Sequence, residues 1–204
     1  MLKQAVDTYS KSSKIIHWLS AVIVIAMLSL SFFLEDLPER HQPLGYLTHK
    51  SFGLVVLFLL FLRIIWIFYR GKPSLPPTVP GWQKILARSV QYGLYIFLFA
   101  MPMSGWIMSV AANRTPIFFG LFPVPLPITP NKELATFMNE THEVIAWILI
   151  VLIVLHVAGA MKHFFLDKDD VLQSMLPGSR KGKQDADALQ SNTETGDQIR
   201  HLQQ

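Results

Sequence analysis

Four apolar runs, each about twenty residues long, dominate this chain: residues 15–34, 47–69, 89–110 and 139–165. At about 1.5 Å per residue, a helix of that length spans the hydrocarbon core of a bilayer. In lipid the backbone must satisfy its own hydrogen bonds, so each run reads as a membrane-spanning helix. Of 204 residues, 51% are hydrophobic and only 16% are charged. Four spans leave no length for a separate soluble catalytic domain. The expected fold is all-α, a four-helix transmembrane bundle over residues 15–176. A segment 1–14 precedes it, and a polar, disordered tail 177–204 follows.

The first run follows Lys3, Lys11 and Lys14 and could pass for a signal peptide. It is too long for one and lacks a small-residue cleavage site, so it reads as a retained anchor. The second run is broken by Lys50 and Arg63, and the third contains Pro102, an expected kink. Within the fourth, residues 144–161 carry no charge. Residues 35–44 read as a short turn and 70–84, with four prolines and two glycines, as extended loop. Residues 112–138 contain NRTPIFFGLFPVPLPITPN and read as an aromatic, interfacial lid.

Basic residues orient the bundle. Lys3, Lys11, Lys14, Arg70, Lys72, Lys84, Arg88, Lys162, Lys168, Arg180, Lys181, Lys183 and Arg200 fall on one side. Arg40, Lys50, Arg114 and Lys132 fall on the other. This bias predicts both termini in the cytoplasm. The net charge of +4 is spent on topology; the chain's surroundings are membrane lipid, and no nucleic-acid partner is expected.

Four histidines lie in or at the rims of the spans: His17, His49, His142 and His156. Imidazole is costly in hydrocarbon and is kept there for a function. His156 follows His142 by 14 residues, roughly 21 Å along a helix and within about 40° of the same face. In the expected topology His49 and His142 lie at the outer end, and His17 and His156 at the inner end. Histidines 20 Å apart cannot share an iron, so the depth-matched pairs are His49/His142 and His17/His156. There is no cysteine, which excludes disulfides, thiolate metal sites, iron–sulfur clusters and covalent haem attachment. Two imidazoles per level suit a metal that already has four equatorial nitrogens, that is, haem. The helical spacing of Gly53 after His49, and of Gly159 and Ala160 after His156, leaves space for a flat macrocycle.

Taken singly, the histidines have plainer readings. His17 could be interfacial beside Trp18, and His49 and His142 could cap helix ends. Arg63, 14 residues after His49, falls at the depth of the inner pair. There it either holds a haem propionate or snorkels to the surface. His163, two turns after His156, is a candidate proton carrier or an interfacial residue beside Lys162. His41 and His201 read as surface residues. A metal transporter is the remaining class, but zinc or copper sites recruit three or four ligands at one depth, and the apolar cores hold no carboxylate.

Beyond this pattern the chain resembles a known family. The stretches YSKSSKIIHWLS, THKSFGLVVLFLLFLRIIWIFYR, ETHEVIAWILIVLIVLHVAGAMKHFF and DKDDVLQSMLP are similar to the bacterial cytochrome b561 group, across residues 9–177. The resemblance implies a four-helix dihaem cytochrome of the inner (plasma) membrane. It implies two b haems, with His17 and His156 on one and His49 and His142 on the other. It also implies an oxidoreductase that passes electrons from an outer donor to ubiquinone; the best-known type is a superoxide:ubiquinone oxidoreductase. On that reading Lys50 and Arg114 are candidate residues for an anionic donor near the outer haem, and His163 for protons at the cytoplasmic face. A partner dehydrogenase or periplasmic redox protein is the alternative donor.

Two features depart from the family pattern. The tail past Pro177 is an extension. The outer side also lacks a basic excess, because Glu35, Asp36, Glu39, Glu133, Glu140 and Glu143 face its four cations. Long-range steering of an anion from such a balance is weak.

Overall fold

The computed structural model describes residues 9–71, 79–169 and 171–176. Its four long helices are α1 (Lys11–Ser31), α2 (Gln42–Arg70), α3 (Gly81–Ala111) and α4 (Lys132–Lys162). All four are long and apolar enough to cross a membrane. α1 packs on α2 and α3 on α4, and an α2–α3 contact joins the two pairs. Large apolar side chains such as Phe58, Ile65, Ile96 and Val151 are more than 45% exposed. Water would penalise so much bare hydrocarbon; lipid does not.

The helices start earlier than the apolar runs suggest, because their first turns are rich in polar residues that hydropathy does not mark; side-chain caps fix the starts of α1 and α4. Ser10 caps α1, its hydroxyl oxygen accepting from the Ser13 N–H at 3.2 Å. Pro43 sits in the first turn of α2, where its missing N–H costs nothing. α3 begins at Gly81, eight residues before its apolar run, so residues 81–84 are helix and not loop. Asn131 caps α4 through a 2.9 Å bond from the Leu134 N–H, which corrects the expected lid of 112–138 to residues 112–131. Pro102 lies inside α3. Residues 72–78 and the tail 177–204 lie outside the described residues.

α4 ends in a π turn, His163–Asp167, closed by Lys168 in the left-handed region at φ 52°. The lid carries a minimal hairpin, β1 (Ile117–Phe118) and β2 (Phe122–Pro123). Phe119 (φ 47°) and Gly120 (φ 77°) make its turn. The lid is anchored to the bundle by Ser51, which is fully buried. Its hydroxyl donates to the Leu47 carbonyl at 2.8 Å and accepts from the Phe119 N–H at 2.8 Å. Trp106 donates to the Val124 carbonyl at 2.8 Å and holds the lid to α3. At the opposite end, Lys14 and Trp18 donate to the carbonyls of Leu176 and Met175 at 3.0 and 2.9 Å. The start of α1 and the end of the described chain therefore lie together.

Candidate functional site

Two histidine pairs face each other across the bundle. His49 on α2 and His142 on α4 have ring centroids 6.2 Å apart, with planes at 70°. His17 on α1 and His156 on α4 are also 6.2 Å apart, with planes at 73°. A nitrogen–metal bond of about 2.0–2.1 Å plus roughly 1.1 Å from that nitrogen to the ring centre, taken on each side, gives about 6.3 Å for two imidazoles opposed on one metal. Both pairs have that separation.

The surroundings suit a flat, apolar group. A cleft of about 480 Å³ is lined by His49, Gly53, Val24, Met101, His142 and Leu149, among others, and draws on all four helices. A Cβ added at Gly53 or Gly159 would meet nothing within 4 Å, so open space adjoins each pair. The residues present therefore fit a bis-histidine haem at the level of His49 and His142, and His17 and His156 share the same ring separation.

The hydrogen-bonding neighbours of the two pairs differ. His142 Nδ1 lies 3.0 Å from the Met101 carbonyl oxygen and 3.0 Å from Ser104 Oγ. His49 Nδ1 is buried without a hydrogen-bond partner among the described residues. At the inner level Arg63 Nη1 donates to His17 Nδ1 at 2.7 Å. A guanidinium has no acceptor, so His17 presents a lone pair at Nδ1 and carries its proton on Nε2. Binding a metal through Nε2 requires that proton to move to Nδ1 and Arg63 to turn to another acceptor. Arg63 also lies over the Tyr95 ring at 5.5 Å, so it faces into the bundle at the depth of His17. Near it, burial pushes the Tyr9 phenol above its ordinary 10.0; Tyr95 adds to the rise, while Arg63 and Arg88 oppose it.

The rim residues also come together. Lys50, next to His49, donates to the Arg114 carbonyl oxygen at 3.3 Å. His163 is 8% exposed, and its Nδ1 lies 2.7 Å from Asp169 and 3.2 Å from Asp167. Lys162 pairs with Asp167 at 2.6 Å. His41 is exposed and accepts from Arg40 at 3.0 Å. His201 lies outside the described residues. Sequence reasoning missed Ser104, Met101, Gly105, Tyr95 and Tyr9. None carries a metal-ligand signature, and their roles come from how the helices are registered.

Residues 8–178 match the prokaryotic cytochrome b561 family. The chain belongs to that family. It is 33% identical over 172 residues to "Cytochrome b561 homolog 2" of Escherichia coli strain K12, covering 83% of this chain and 92% of that protein. It is 30% identical over 168 residues to the "Probable superoxide oxidase CybB" of Yersinia pestis, covering 81% of this chain and 93% of that protein. A more distant relative is the "Probable Ni/Fe-hydrogenase B-type cytochrome subunit" of Rhizobium leguminosarum bv. viciae. It is 22% identical over 217 residues, covering 87% of this chain and 90% of that protein. As a member of this family, the chain is a multi-pass membrane cytochrome of b type that transfers electrons.

Proposed function

We propose that this cytochrome holds two b haems, one between His49 and His142 and one between His17 and His156. It carries electrons across the inner membrane from an outer donor to ubiquinone, with both termini in the cytoplasm. The observation that carries the reading is the recurrence of one ring separation, 6.2 Å, at two levels of the bundle. Haem iron between two imidazoles supplies a one-electron couple without change of ligands. The chain's own residues do the rest. The imidazoles hold and orient, and Arg63 turns to the carboxylate of a propionate at the inner level. The lid keeps water from the outer pair.

Superoxide is the donor we favour. It leaves as dioxygen after giving up one electron. Two such electrons, with two protons from the cytoplasmic side, convert ubiquinone to ubiquinol. Lys50 and Arg114 present positive charge to the anion at the outer rim. His163, between Asp169 and the inner level, is the residue that would pass protons. The acidic excess of the outer side and the hydrogenase-subunit relative support a second reading, in which a partner redox protein is the donor.

Purified protein tests both. A haem assay and a reduced-minus-oxidised spectrum are expected to give two low-spin b haems per chain; one haem per chain overturns the pairing. Superoxide is expected to reduce them and ubiquinone to reoxidise them. Reduction only by a dehydrogenase or periplasmic protein selects the second reading.

A further inference from the structure

α3 contributes no histidine to either pair, yet it is the wall on which His142 rests. The Met101 carbonyl oxygen lies 3.0 Å from His142 Nδ1. The Ser104 hydroxyl donates to that same carbonyl at 2.8 Å. Its oxygen then meets Nδ1, 3.0 Å away, through a lone pair. A carbonyl has no proton to give, so the imidazole is the donor to it. The proton of the neutral ring is thereby fixed on Nδ1, and Nε2 is left bare. Gly105 fixes the plane. A Cβ there would stand 3.0 Å from Cε1 and 3.2 Å from Nδ1 of His142, inside the roughly 3.5–4.0 Å at which carbon atoms rest. His49, opposite, has no partner at Nδ1. The geometry of the outer pair is set from one side.

We infer that Ser104 and Gly105 are positioning residues for the outer haem: with the Met101 carbonyl they fix the tautomer and the ring plane of His142, and so tune the outer iron. The inference rests on the two-haem reading above. An imidazole whose N–H donates to an oxygen acceptor is a more basic ligand and favours ferric over ferrous iron. The angle between the two ligand planes, 70° here, sets the anisotropy of the low-spin ferric EPR signal.

The test compares purified wild type with Ser104→Ala, Ser104→Thr and Gly105→Ala by EPR and redox titration. Ser104→Ala is expected to raise the outer midpoint potential, by up to about tenfold in ferric preference or ~59 mV for one electron. Ser104→Thr, which keeps the hydroxyl, is expected to restore it in part. Gly105→Ala is expected to change the outer g-anisotropy and weaken outer-haem retention about tenfold or more. The inner-haem signal, unchanged throughout, reports an intact bundle. If Ser104→Ala and Gly105→Ala both keep the wild-type outer signals in a protein that holds two haems, the inference is wrong. It is also wrong if Ser104→Ala and Ser104→Thr move the potential equally, because the hydroxyl then plays no part. A wild-type protein without an outer haem overturns the two-haem reading and this inference with it. Because the two positions are read separately, misfolding at one leaves the other decisive.

Discussion

In the outer pair, His142 is held by a neutral carbonyl and a hydroxyl while His49 Nδ1 has no partner among the described residues, whereas in the inner pair a guanidinium lies against the His17 ring. The ring separations are the same, so ligation alone does not distinguish the levels; their neighbours do. A carbonyl that accepts from a ligand imidazole strengthens its donation and favours ferric iron. A positive charge nearby favours the reduced state. On the proposed two-haem reading, the inner haem is therefore expected to have the higher midpoint potential, which would make transfer from the outer level to the inner one downhill. The covers differ as well. The outer end lies beneath a lid tied down by Ser51 and Trp106, and the inner end beneath the segment 171–176, held by Lys14 and Trp18.

The largest effects should come from the ligands themselves. His49→Ala is expected to remove the outer haem and leave the inner one, while His156→Ala does the reverse. Counting haem and recording the low-temperature spectrum of each variant checks this. Loss of the same haem in both variants would break the comparison at its root. Arg63→Leu should be smaller and confined to the inner level. Loss of a charge-assisted bond costs roughly 1.5–3 kcal/mol, so inner-haem retention should fall about tenfold to a hundredfold, or its potential should drop. If only the outer haem responds, or neither does, Arg63 has no role as the partner of an inner anion.

Much of this architecture is legible in the sequence, and the reason is physical. A bilayer imposes a span length, so four apolar runs become four helices. A 14-residue spacing repeats both depth and face, so His142 and His156 sort the other two histidines into levels. Arg63 is legible in depth for the same reason, although its contact with His17 Nδ1 is not. The helix ends are less legible, because Gly81–Arg88 and Lys132–Met138 mix polar with apolar residues and hydropathy does not mark them. The Asn131 cap at the start of α4, and the fixed backbone of Pro80 before α3, carry that information instead. The lid hairpin rests on two left-handed residues, Phe119 and Gly120, of which only the glycine is a signal. Ser104 and Gly105 read as ordinary small residues of a transmembrane helix. Their meaning arises only once α3 and α4 are set in register.

The lid offers a sharper test of the difference in covers. Ser51 is fully buried, and its hydroxyl is the partner of the Phe119 N–H. Ser51→Ala leaves that amide unsatisfied at a cost of about 1–3 kcal/mol. Amide exchange in residues 112–131 should rise by a corresponding factor, while exchange at the end of α4 stays as it was. Equal acceleration at both ends would mean that the lid is not a separate unit.

The smallest effect concerns charge at the outer rim, and it discriminates between donors. Lys50 donates to the Arg114 carbonyl at 3.3 Å. Lys50→Gln keeps a donor at the end of a shorter side chain and removes the charge, so the lid contact and the electrostatics can be judged apart. If superoxide is the donor, the second-order rate of haem reduction should fall a few-fold in Lys50→Gln, and further when Arg114→Gln is added. The wild-type rate should also fall as salt rises toward 0.15 M, where the screening length is about 8 Å, and the variants should show a flatter dependence. The effect is bounded because six acidic residues share that side with four cations; only the local field of Lys50 and Arg114 favours an anion. The inner level is too deep to feel either substitution, so its potential should not move. A rate and salt slope unchanged in the double variant, with superoxide still active, would show that these two residues do not guide the anion. A superoxide rate that does not fall with salt, together with a protein donor that is faster at low salt because its own cations seek the acidic residues, would move the assignment to the partner-cytochrome reading.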